Sequence, residues 1–390
     1  MTRLTAEWIT RASTRAVLDA LQTEGHRAFF VGGCVRNELL GAPVSDIDVA
    51  TDAMPHDVMR LAKAADLNPI PTGIDHGTVT IVSDHIAHEV TTFRRDVETD
   101  GRRAVVTYSS EMDEDARRRD FTMNALYADA EGHVIDPLGT GLADLADRRV
   151  RFIEDATARI REDYLRILRF FRFHAWYGSV DAGPDPDALD AIAGNLDGLG
   201  GLSAERVGAE MLKLLGAPDP APSVAVMAQT GALGQVLPGA DPRALAPLVH
   251  LEGQHALAAD PIRRLAALGG ADVAQRLRLS RRDGKRLATL GEAVGSGQGT
   301  AEMGYRFGAR AAVDAALIRA ASLGTVAAEE TVAQAEAGAC AVFPVRARDL
   351  GKRYRGAAIG EALRRLESAW VASGFRLDKD ALLQKLDDGD

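Results

Sequence analysis

The spacing of apolar positions changes along the chain and predicts two kinds of structure. In the first 140 residues, short apolar runs predict β-strands among amphipathic helices. The predicted strands run from Ala28 to Val31, Ile47 to Ala50, Thr78 to Val82 and Ala87 to Phe93. The predicted helices run from Ser13 to Thr23, Val35 to Leu40 and His56 to Ala65, with Pro55 in the first turn of the last one.

From Leu142 onward the pattern is helical, with no strand signal after residue 200. Breaks rich in glycine, proline or small polar residues are expected at 178–186, 216–222 and 295–300. The predicted fold class is therefore an α/β N-terminal head (mixed sheet with helices) followed by an all-α neck, body and tail. We place these parts at 1–140, 141–215, 216–300 and 301–390.

Composition is that of a globular protein, because 46% of the 390 residues are hydrophobic and 26% are charged. No membrane span is expected, since the uncharged window 220–240 is interrupted by prolines and glycines. No signal peptide is expected after Met1, and Cys34 and Cys340 lie too far apart to suggest a zinc site or a disulfide framework. These features favour a cytoplasmic protein.

The net charge of −10 argues against broad, non-specific nucleic-acid binding. One segment departs from that average: between Arg346 and Trp370 there are seven Lys/Arg against three acids. An acidic protein with such a basic strip can still bind one defined polyanion.

The first candidate functional residues are Gly32-Gly33 and Asp46-Ile47-Asp48. Twelve residues lie between Gly33 and Asp46. Taken alone, a glycine pair is usually a tight turn and an Asp-x-Asp usually lies at the surface. Together they are complementary. Strand alternation would put Asp46 and Asp48 on one face to bind Mg²⁺, while the glycines and Arg36 would approach a phosphate. A divalent metal beside a phosphate site is suited to phosphoryl or nucleotidyl transfer.

This spacing resembles motif A of the polymerase β-like nucleotidyltransferase superfamily. The wider string from Val31 to Asp57 resembles the class II CCA-adding tRNA nucleotidyltransferases and bacterial poly(A) polymerases. Asn37 is a departure, because those proteins usually carry Asp there; we expect it to support the loop. The resemblance implies a catalytic head over 1–140 with two Mg²⁺ ions, and Glu89 as the third carboxylate. The alternative for Glu89 is an edge-strand side chain that faces water.

Two later strings extend the resemblance. Asp100 to Arg103 resembles the flexible loop that helps class II enzymes switch from CTP to ATP, although a solvated hairpin is an equal alternative. Arg117 to Leu126 matches motif B almost residue for residue. The match implies that Arg119 contacts the ribose or phosphate, and that Asp120 and Asn124 shape the sugar side of a nucleotide pocket.

In the predicted neck, Asp163, Arg166, Arg169 and Arg172 recur at every third residue. On one continuous helix, Asp163 and Arg166 would be neighbours on nearly one face, and the ordinary interpretation is an ion pair between them. The string resembles instead the family's nucleotide-selecting Glu-Asp-x-x-Arg motif and its trailing Arg-x-x-Arg-Phe. That resemblance implies nucleotide binding by all four residues.

The end of the chain, from Phe343 to Trp370, resembles the part of these proteins that faces tRNA. We expect Lys352, Arg353 and Arg355 to bind backbone phosphates, and Trp370 to lie in a core.

The resemblance implies template-independent addition and repair of the 3′-terminal CCA of tRNA, with CTP and ATP as substrates and no obligate protein partner. One alternative is a poly(A) polymerase of the same family. Those proteins usually carry an Arg-rich stretch before the strand that here follows Thr72 to Gly77, and this chain lacks it, which favours CCA addition. The other alternative is a catalytically inactive RNA-binding protein, and the retention of Asp46, Asp48 and Glu89 argues against it.

Overall fold

The computed structural model describes residues 2–100, 103–351 and 354–387. The chain forms two compact units, the first ending at Val236 and the second beginning at Leu237. The finer predicted division into head, neck, body and tail stays a prediction.

The first unit opens with strands and short helices. Its strands are β1 (Ala28–Val31), β2 (Ile47–Thr51), β3 (Asn68–Gly73), β4 (Thr78–Ser83), β5 (Ile86–Thr92), β6 (Arg94–Asp100), β7 (Arg103–Tyr108), β8 (Tyr127–Ala128) and β9 (Val134–Ile135). Its helices are α1 (Glu7–Thr10), α2 (Ala12–Gln22), α3 (Gly33–Leu39), α4 (Pro55–Ala64), α5 (Met112–Arg117), α6 (Gly141–Ala146), α7 (Ala156–Glu162), α8 (Leu165–Tyr177), α9 (Pro186–Ala193), α10 (Ala204–Leu215), α11 (Ala221–Gln229) and α12 (Ala232–Val236).

The main sheet has the strand order β3-β4-β5-β2-β1-β8-β9, and β6 with β7 forms a separate hairpin. The pair β2–β5 is parallel and the other pairs are antiparallel, so the sheet is mixed as predicted. In the parallel pair, Asp48 lies opposite Glu89. Strand β3 was not predicted. It holds Pro69 and Pro71 and lies at the sheet edge, where a missing N–H removes no internal ladder bond.

An aromatic cluster joins the segment after α5 to α8. The ring of Phe121 lies 5.0 Å from those of Phe152 and Phe173, and Phe152 stacks on Phe170 at 5.7 Å. All four side chains are buried, so α8 is fixed against the segment that carries the motif B residues.

In the second unit, the described residues form helices: α13 (Leu245–Gln254), α14 (Pro261–Leu268), α15 (Val273–Arg276), α16 (Arg281–Gly295), α17 (Thr300–Phe307), α18 (Ala309–Leu323), α19 (Thr331–Cys340), α20 (Ala357–Ala372) and α21 (Lys379–Asp387). Trp370 is buried in a cluster with Leu366 and Leu382, which confirms its predicted place in a core. Helices α17 and α19 touch through Gly304 and Gly338. Among the described residues, no helix combines the length and hydropathy that a bilayer crossing requires.

The predicted fold class is confirmed, and the predicted strands lie within one residue of β1, β2, β4 and β5. The structure differs from the sequence-based expectation in the neck. The expected single helix through Asp163 is two helices, because Asp163 has φ −155° and ψ 104° between α7 and α8.

Candidate active site

A cleft of about 470 Å³ lies in the first unit and collects most of the predicted site residues. Its predicted members are Gly32, Gly33, Arg36, Asp48, Arg119, Asp120, Asn124, Asp163, Arg166 and Arg169. Arg118, Leu165, Phe173 and Arg206 complete the lining. Residues from the sheet, from the segment after α5 and from the neck helices therefore face one cavity.

Position 32 favours glycine because of its backbone conformation and the close packing of Arg119. Its φ of 70° lies in the region that favours glycine, and a Cβ atom there would lie 3.3 Å from Nη1 of Arg119. The N–H of Gly32 donates to the carbonyl of Leu126 at 3.0 Å. The Gly32 N–H is therefore used within the protein, and the expected approach of N–H groups at the start of α3 to a phosphate stays a prediction.

The carboxylates occupy neighbouring positions on two strands. Asp48 is partly buried on β2 opposite the exposed Glu89 of β5, and side chains at one register of adjacent strands share a face. Burial, together with the negative charges of Glu89 and Asp46, raises the pKa of Asp48 to about 6. Asp46 is exposed just before β2 and accepts a hydrogen bond from Oγ of Ser45 at 2.9 Å.

These carboxylates fit a divalent metal ion, although not as a closed triad. Within the described ranges, no three Asp, Glu, His or Cys side chains form a ready metal-binding group. Mg²⁺ commonly takes one or two protein carboxylates and completes its shell with water and substrate phosphates. Hard oxygen donors whose mutual repulsion already raises the pKa of Asp48 suit that role, because a cation would relieve the repulsion.

Arg36 links α3 to the neck. Its guanidinium donates to Asn124, to Oδ1 of Asn37 at 2.8 Å and to the hydroxyl of Tyr177 at 2.9 Å, and lies 4.1 Å from the centre of the Tyr177 ring. Burial lowers the pKa of Arg36. Asn37 donates to the carbonyl of Pro43 at 2.8 Å, as expected for a residue that supports the loop. Arg36 therefore borders the cleft but is largely satisfied by protein groups.

Asp120 and Asn124 connect Arg36 to Arg169 through hydrogen bonds. Nδ2 of Asn124 donates to Oδ1 of Asp120 at 2.9 Å, and Nε of Arg169 donates to Oδ2 of Asp120 at 2.7 Å. Although burial raises it, the pKa of Asp120 is held below its usual range by the charge of Arg169 and these hydrogen bonds. A continuous relay thus runs from Arg36 through Asn124 and Asp120 to Arg169 on α8.

Arg119 is held by a buried acid that the sequence analysis missed. Nη2 of Arg119 donates to Oδ2 of Asp115 at 2.8 Å, and the hydroxyl of Tyr127 donates to the same oxygen at 2.7 Å. Nε of Arg119 also donates to the Tyr127 hydroxyl at 3.2 Å. Asp115 is 1% exposed, so its charge acts on Arg119 with little screening. These contacts fix the guanidinium over Gly32.

The neck residues line the cleft, but their pairing differs from the prediction. Asp163 accepts the N–H of Leu165 at 3.1 Å and caps the start of α8, while its other oxygen accepts from Arg206 on α10 at 2.6 Å. Arg166 bonds Glu162 and the carbonyl of Arg159. The expected continuous helix through Asp163 is therefore wrong, because α7 ends before Asp163, but both side chains still line the same cleft.

Arg172 lies outside the lining of the cleft. Its Nε donates to Oε2 of Glu210 on α10 at 2.6 Å, which leaves the expected nucleotide contact a prediction. In the second unit Arg355 is exposed, whereas Lys352 and Arg353 lie outside the described residues. The hairpin β6–β7 flanks residues 101–102, which also lie outside the described part, so the switching role of this loop stays a prediction.

Arg206, Glu162 and Asp115 are the functional candidates that sequence reasoning missed or set aside. Arg206 acts on Asp163, which is distant in sequence, whereas Glu162 and Asp115 each act on an arginine four residues further along the chain. Only Glu162 carried a usable signal, because it directly precedes Asp163 and forms with it the acidic start of the neck motif.

Paired carboxylates on a mixed sheet beside an arginine-rich cleft are chemically suited to nucleotidyl transfer. Two family patterns match the chain: one described as the poly A polymerase head domain, over residues 28–151, and one described as a probable RNA and SrmB-binding site of polymerase A, over residues 184–243.

Two relatives and one solved structure are similar to this chain. The CCA-adding enzyme of Geobacillus stearothermophilus is 42% identical over 225 residues, which cover 57% of this chain and 54% of that protein. The human mitochondrial CCA tRNA nucleotidyltransferase 1 is 39% identical over 52% of this chain and 46% of its own length. The chain thus spans about half the length of these relatives. The crystal structure of the Bacillus stearothermophilus CCA-adding enzyme in complex with CTP superposes with a TM-score of 0.70, at 28% identity over 98% of both chains. Residues 28–151 and 184–243 are thus similar to domains of the poly(A) polymerase family, and the fold of the chain is similar to that of a CCA-adding enzyme.

Proposed function

We propose that this protein adds and repairs the 3′-terminal CCA of tRNA, using CTP and ATP without a nucleic-acid template. The observation that carries the proposal is the single cleft in which Asp48 meets Arg119 and the neck residues Asp163 and Arg166. One cavity thus offers a carboxylate for metal-assisted transfer, cations for a triphosphate and a polar pair for a base.

For the transfer step, Asp46 and Asp48 would hold Mg²⁺, with Glu89 as a further oxygen donor. Two bound ions would supply Lewis-acid stabilisation of the triphosphate and a more acidic 3′-hydroxyl on the RNA. The protein side chains would orient the bound nucleotide. Arg119, fixed by Asp115, and Arg169, fixed by Asp120, present guanidinium groups to the phosphates or ribose of the bound nucleotide.

Base selection would use the carboxylate of Asp163 and the guanidinium of Arg166. Cytosine and adenine each present an amino donor beside a ring-nitrogen acceptor, which matches a carboxylate acceptor beside a guanidinium donor. Uracil and guanine present a carbonyl beside an N–H donor, so both contacts would be mismatched. A mismatched buried polar contact costs on the order of 1–3 kcal/mol, or about ten- to a hundredfold in selectivity.

Asp163 and Arg166 are held in place by different residues. Arg206 and the N–H of Leu165 fix the Asp163 carboxylate, which keeps further lone pairs for a base. Glu162 fixes Arg166 from the preceding helix. The selecting pair therefore depends on the turn between α7 and α8 rather than on one helical face.

The test is nucleotide addition to tRNA that ends at the discriminator base. The protein is incubated with Mg²⁺ and with CTP, ATP, UTP or GTP singly and with CTP and ATP together, and product lengths are read on a sequencing gel. We expect two additions with CTP alone and three with CTP and ATP. Long A tracts with ATP alone would establish poly(A) synthesis instead, and RNA retention without extension would establish an inactive RNA-binding protein.

The predicted tail contact is tested in the same assay. Replacing Lys352, Arg353 and Arg355 together by Ala should raise KM for tRNA and flatten its salt dependence, because each neutralised phosphate contributes roughly one unit of log–log slope. A minihelix that lacks the tRNA elbow should be affected less. An unchanged salt slope would remove this strip from the RNA-binding surface.

A further inference from the structure

Charge is divided unevenly between the two units. Residues 1–236 contain 24 Lys/Arg and 37 Asp/Glu, a net charge of −13, whereas residues 237–390 contain 22 and 19, a net charge of +3. The net charge of the whole chain therefore hides a second unit that is weakly basic and better suited to a polyanion.

Part of this positive charge is concentrated at the start of α16. Within ten consecutive positions the side chains of Arg276, Arg278, Arg281, Arg282 and Lys285 are all exposed, and Asp283 is the single acid among them. We call these five residues the α16 strip. They lie on the end of α15, on the turn after it and on the first turns of α16, whose positive dipole end adds to their field.

Four of these cations lack a carboxylate partner in the described part of the chain. No Asp or Glu oxygen there lies within 4.0 Å of Arg276, Arg281, Arg282 or Lys285. Asp283 is itself engaged, because Oγ of Ser280 donates to it at 2.7 Å and its N–H caps the helix on Ser280.

Other arginines of the same unit show the contrast. Arg263 and Arg264 are buried against Glu252, and Arg286, on α16 itself, is paired with Asp260 and Asp314. Within the described part of the second unit, Arg276, Arg281, Arg282 and Lys285 therefore differ from these arginines in having no carboxylate partner.

We propose that the α16 strip binds the phosphodiester backbone of the RNA substrate, an inference that rests on the proposed function. Four of the five cations are arginines, whose forked donors match phosphate oxygens. Among the described residues, none of the large exposed apolar side chains lies between 272 and 292. Large exposed apolar side chains would favour a lipid surface or a hydrophobic protein interface, whereas backbone phosphates need only cations.

The strip positions RNA and does not read its sequence. Contacts to phosphate oxygens fix the register of a bound nucleic acid but carry no base information. The strip should therefore act equally on tRNAs of different sequence, and its contribution should weaken as salt is added.

The test compares two triple variants of the full chain. Arg276→Gln, Arg281→Gln and Arg282→Gln are combined in one, and the control combines Arg243→Gln, Arg306→Gln and Lys385→Gln. Both variants lose three exposed charges from the second unit, but Arg243 and Arg306 are already paired with Asp241 and Glu302. The dissociation constant for tRNA is measured by fluorescence anisotropy between 50 and 300 mM KCl, and unfolding midpoints confirm that both variants are folded.

We expect the strip variant to bind tRNA about tenfold or more weakly at 50 mM KCl, with a log–log salt slope flatter by roughly two to three units. The control should remain within about twofold of the unsubstituted protein. An unchanged slope in the strip variant, or an equal loss in the control, would overturn the proposal. If the unsubstituted protein bound tRNA through the strip but extended no 3′ end, the proposed function would fail while the RNA surface would stand.

Discussion

Replacing Asp115 by Asn tests whether this buried acid holds Arg119 in place. The substitution keeps the size of the side chain but removes its charge and one acceptor oxygen. Asp115 accepts hydrogen bonds from Arg119, from the Tyr127 hydroxyl and, at 3.2 Å, from the N–H of Arg94. An amide cannot satisfy all three donors, and Arg119 loses its counterion.

The expected loss is about 3 kcal/mol in the free energy of unfolding, because removing one partner of a buried ion pair typically costs about 3–5 kcal/mol and the side chain of Arg119 is still 21% exposed. Although burial raises it, the charge and hydrogen bond of Arg119 hold the pKa of Asp115 below its usual range. The stabilisation is therefore complete above the unfolded-state pKa of about 3.9 and is lost only as pH falls through the lower folded-state value. The difference between the variants should be constant from about pH 5 to 8.

Urea unfolding followed by tryptophan fluorescence and circular dichroism gives the measurement. The matched control is Glu154→Gln, which removes the partner of Arg117 in an ion pair whose side chains are more than half exposed; it should change stability by less than about 1 kcal/mol. Addition of C and A should slow alike in Asp115→Asn, since the role proposed for Arg119 is contact with the phosphates or ribose and not with the base. Equal unfolding midpoints for the two variants, or normal addition rates in Asp115→Asn, would refute the assigned role.

Three further predictions concern single positions. Asp48→Ala should abolish nucleotide addition at saturating Mg²⁺ while the dissociation constant for tRNA changes less than about twofold, because the RNA is bound mainly through its phosphates; normal turnover would remove the metal assignment. Asp163→Ala should slow use of CTP and ATP and increase relative use of UTP and GTP, whereas Arg119→Ala should slow all four nucleotides, and a retained preference in Asp163→Ala would refute base selection by this carboxylate. Gly338→Ala should lower the free energy of unfolding of the second unit by about 1–3 kcal/mol or more, the usual cost of overpacking, because its Cβ would meet the carbonyl oxygen of Ala301. Gly360→Ala, where nothing lies within 4 Å of the added Cβ, is the control.

The strands that shape the site could be predicted because their apolar runs are short and bounded by turn residues. The edge strand β3 could not, since Pro69 and Pro71 are typical of turns and only the sheet order shows that they lie where no inner partner is lost. Strands β8 and β9 have two residues each, too few for any periodic signal.

The composition of the cleft was largely predictable, but its pairing was not. A period of three residues from Asp163 onward is compatible with one helix, and nothing local shows that the backbone leaves the helical region at Asp163. The partners Arg206 and Glu210 approach from α10, about forty residues further along. Such contacts depend on how helices pack, which a single sequence does not specify.

The relay from Arg36 to Arg169 joins the start of α3 and the helix α8 into one mechanical unit. Asn124 and Asp120 each bond in two directions, so a substitution at one end changes the orientation of the other. Effects of paired substitutions along the relay should consequently be non-additive by about 0.5–3 kcal/mol, as for other residues within one network. A change in the orientation of Arg169 could then be offset by a second substitution at Asn124, so the position of this guanidinium can vary without any change in Asp163 or Arg166.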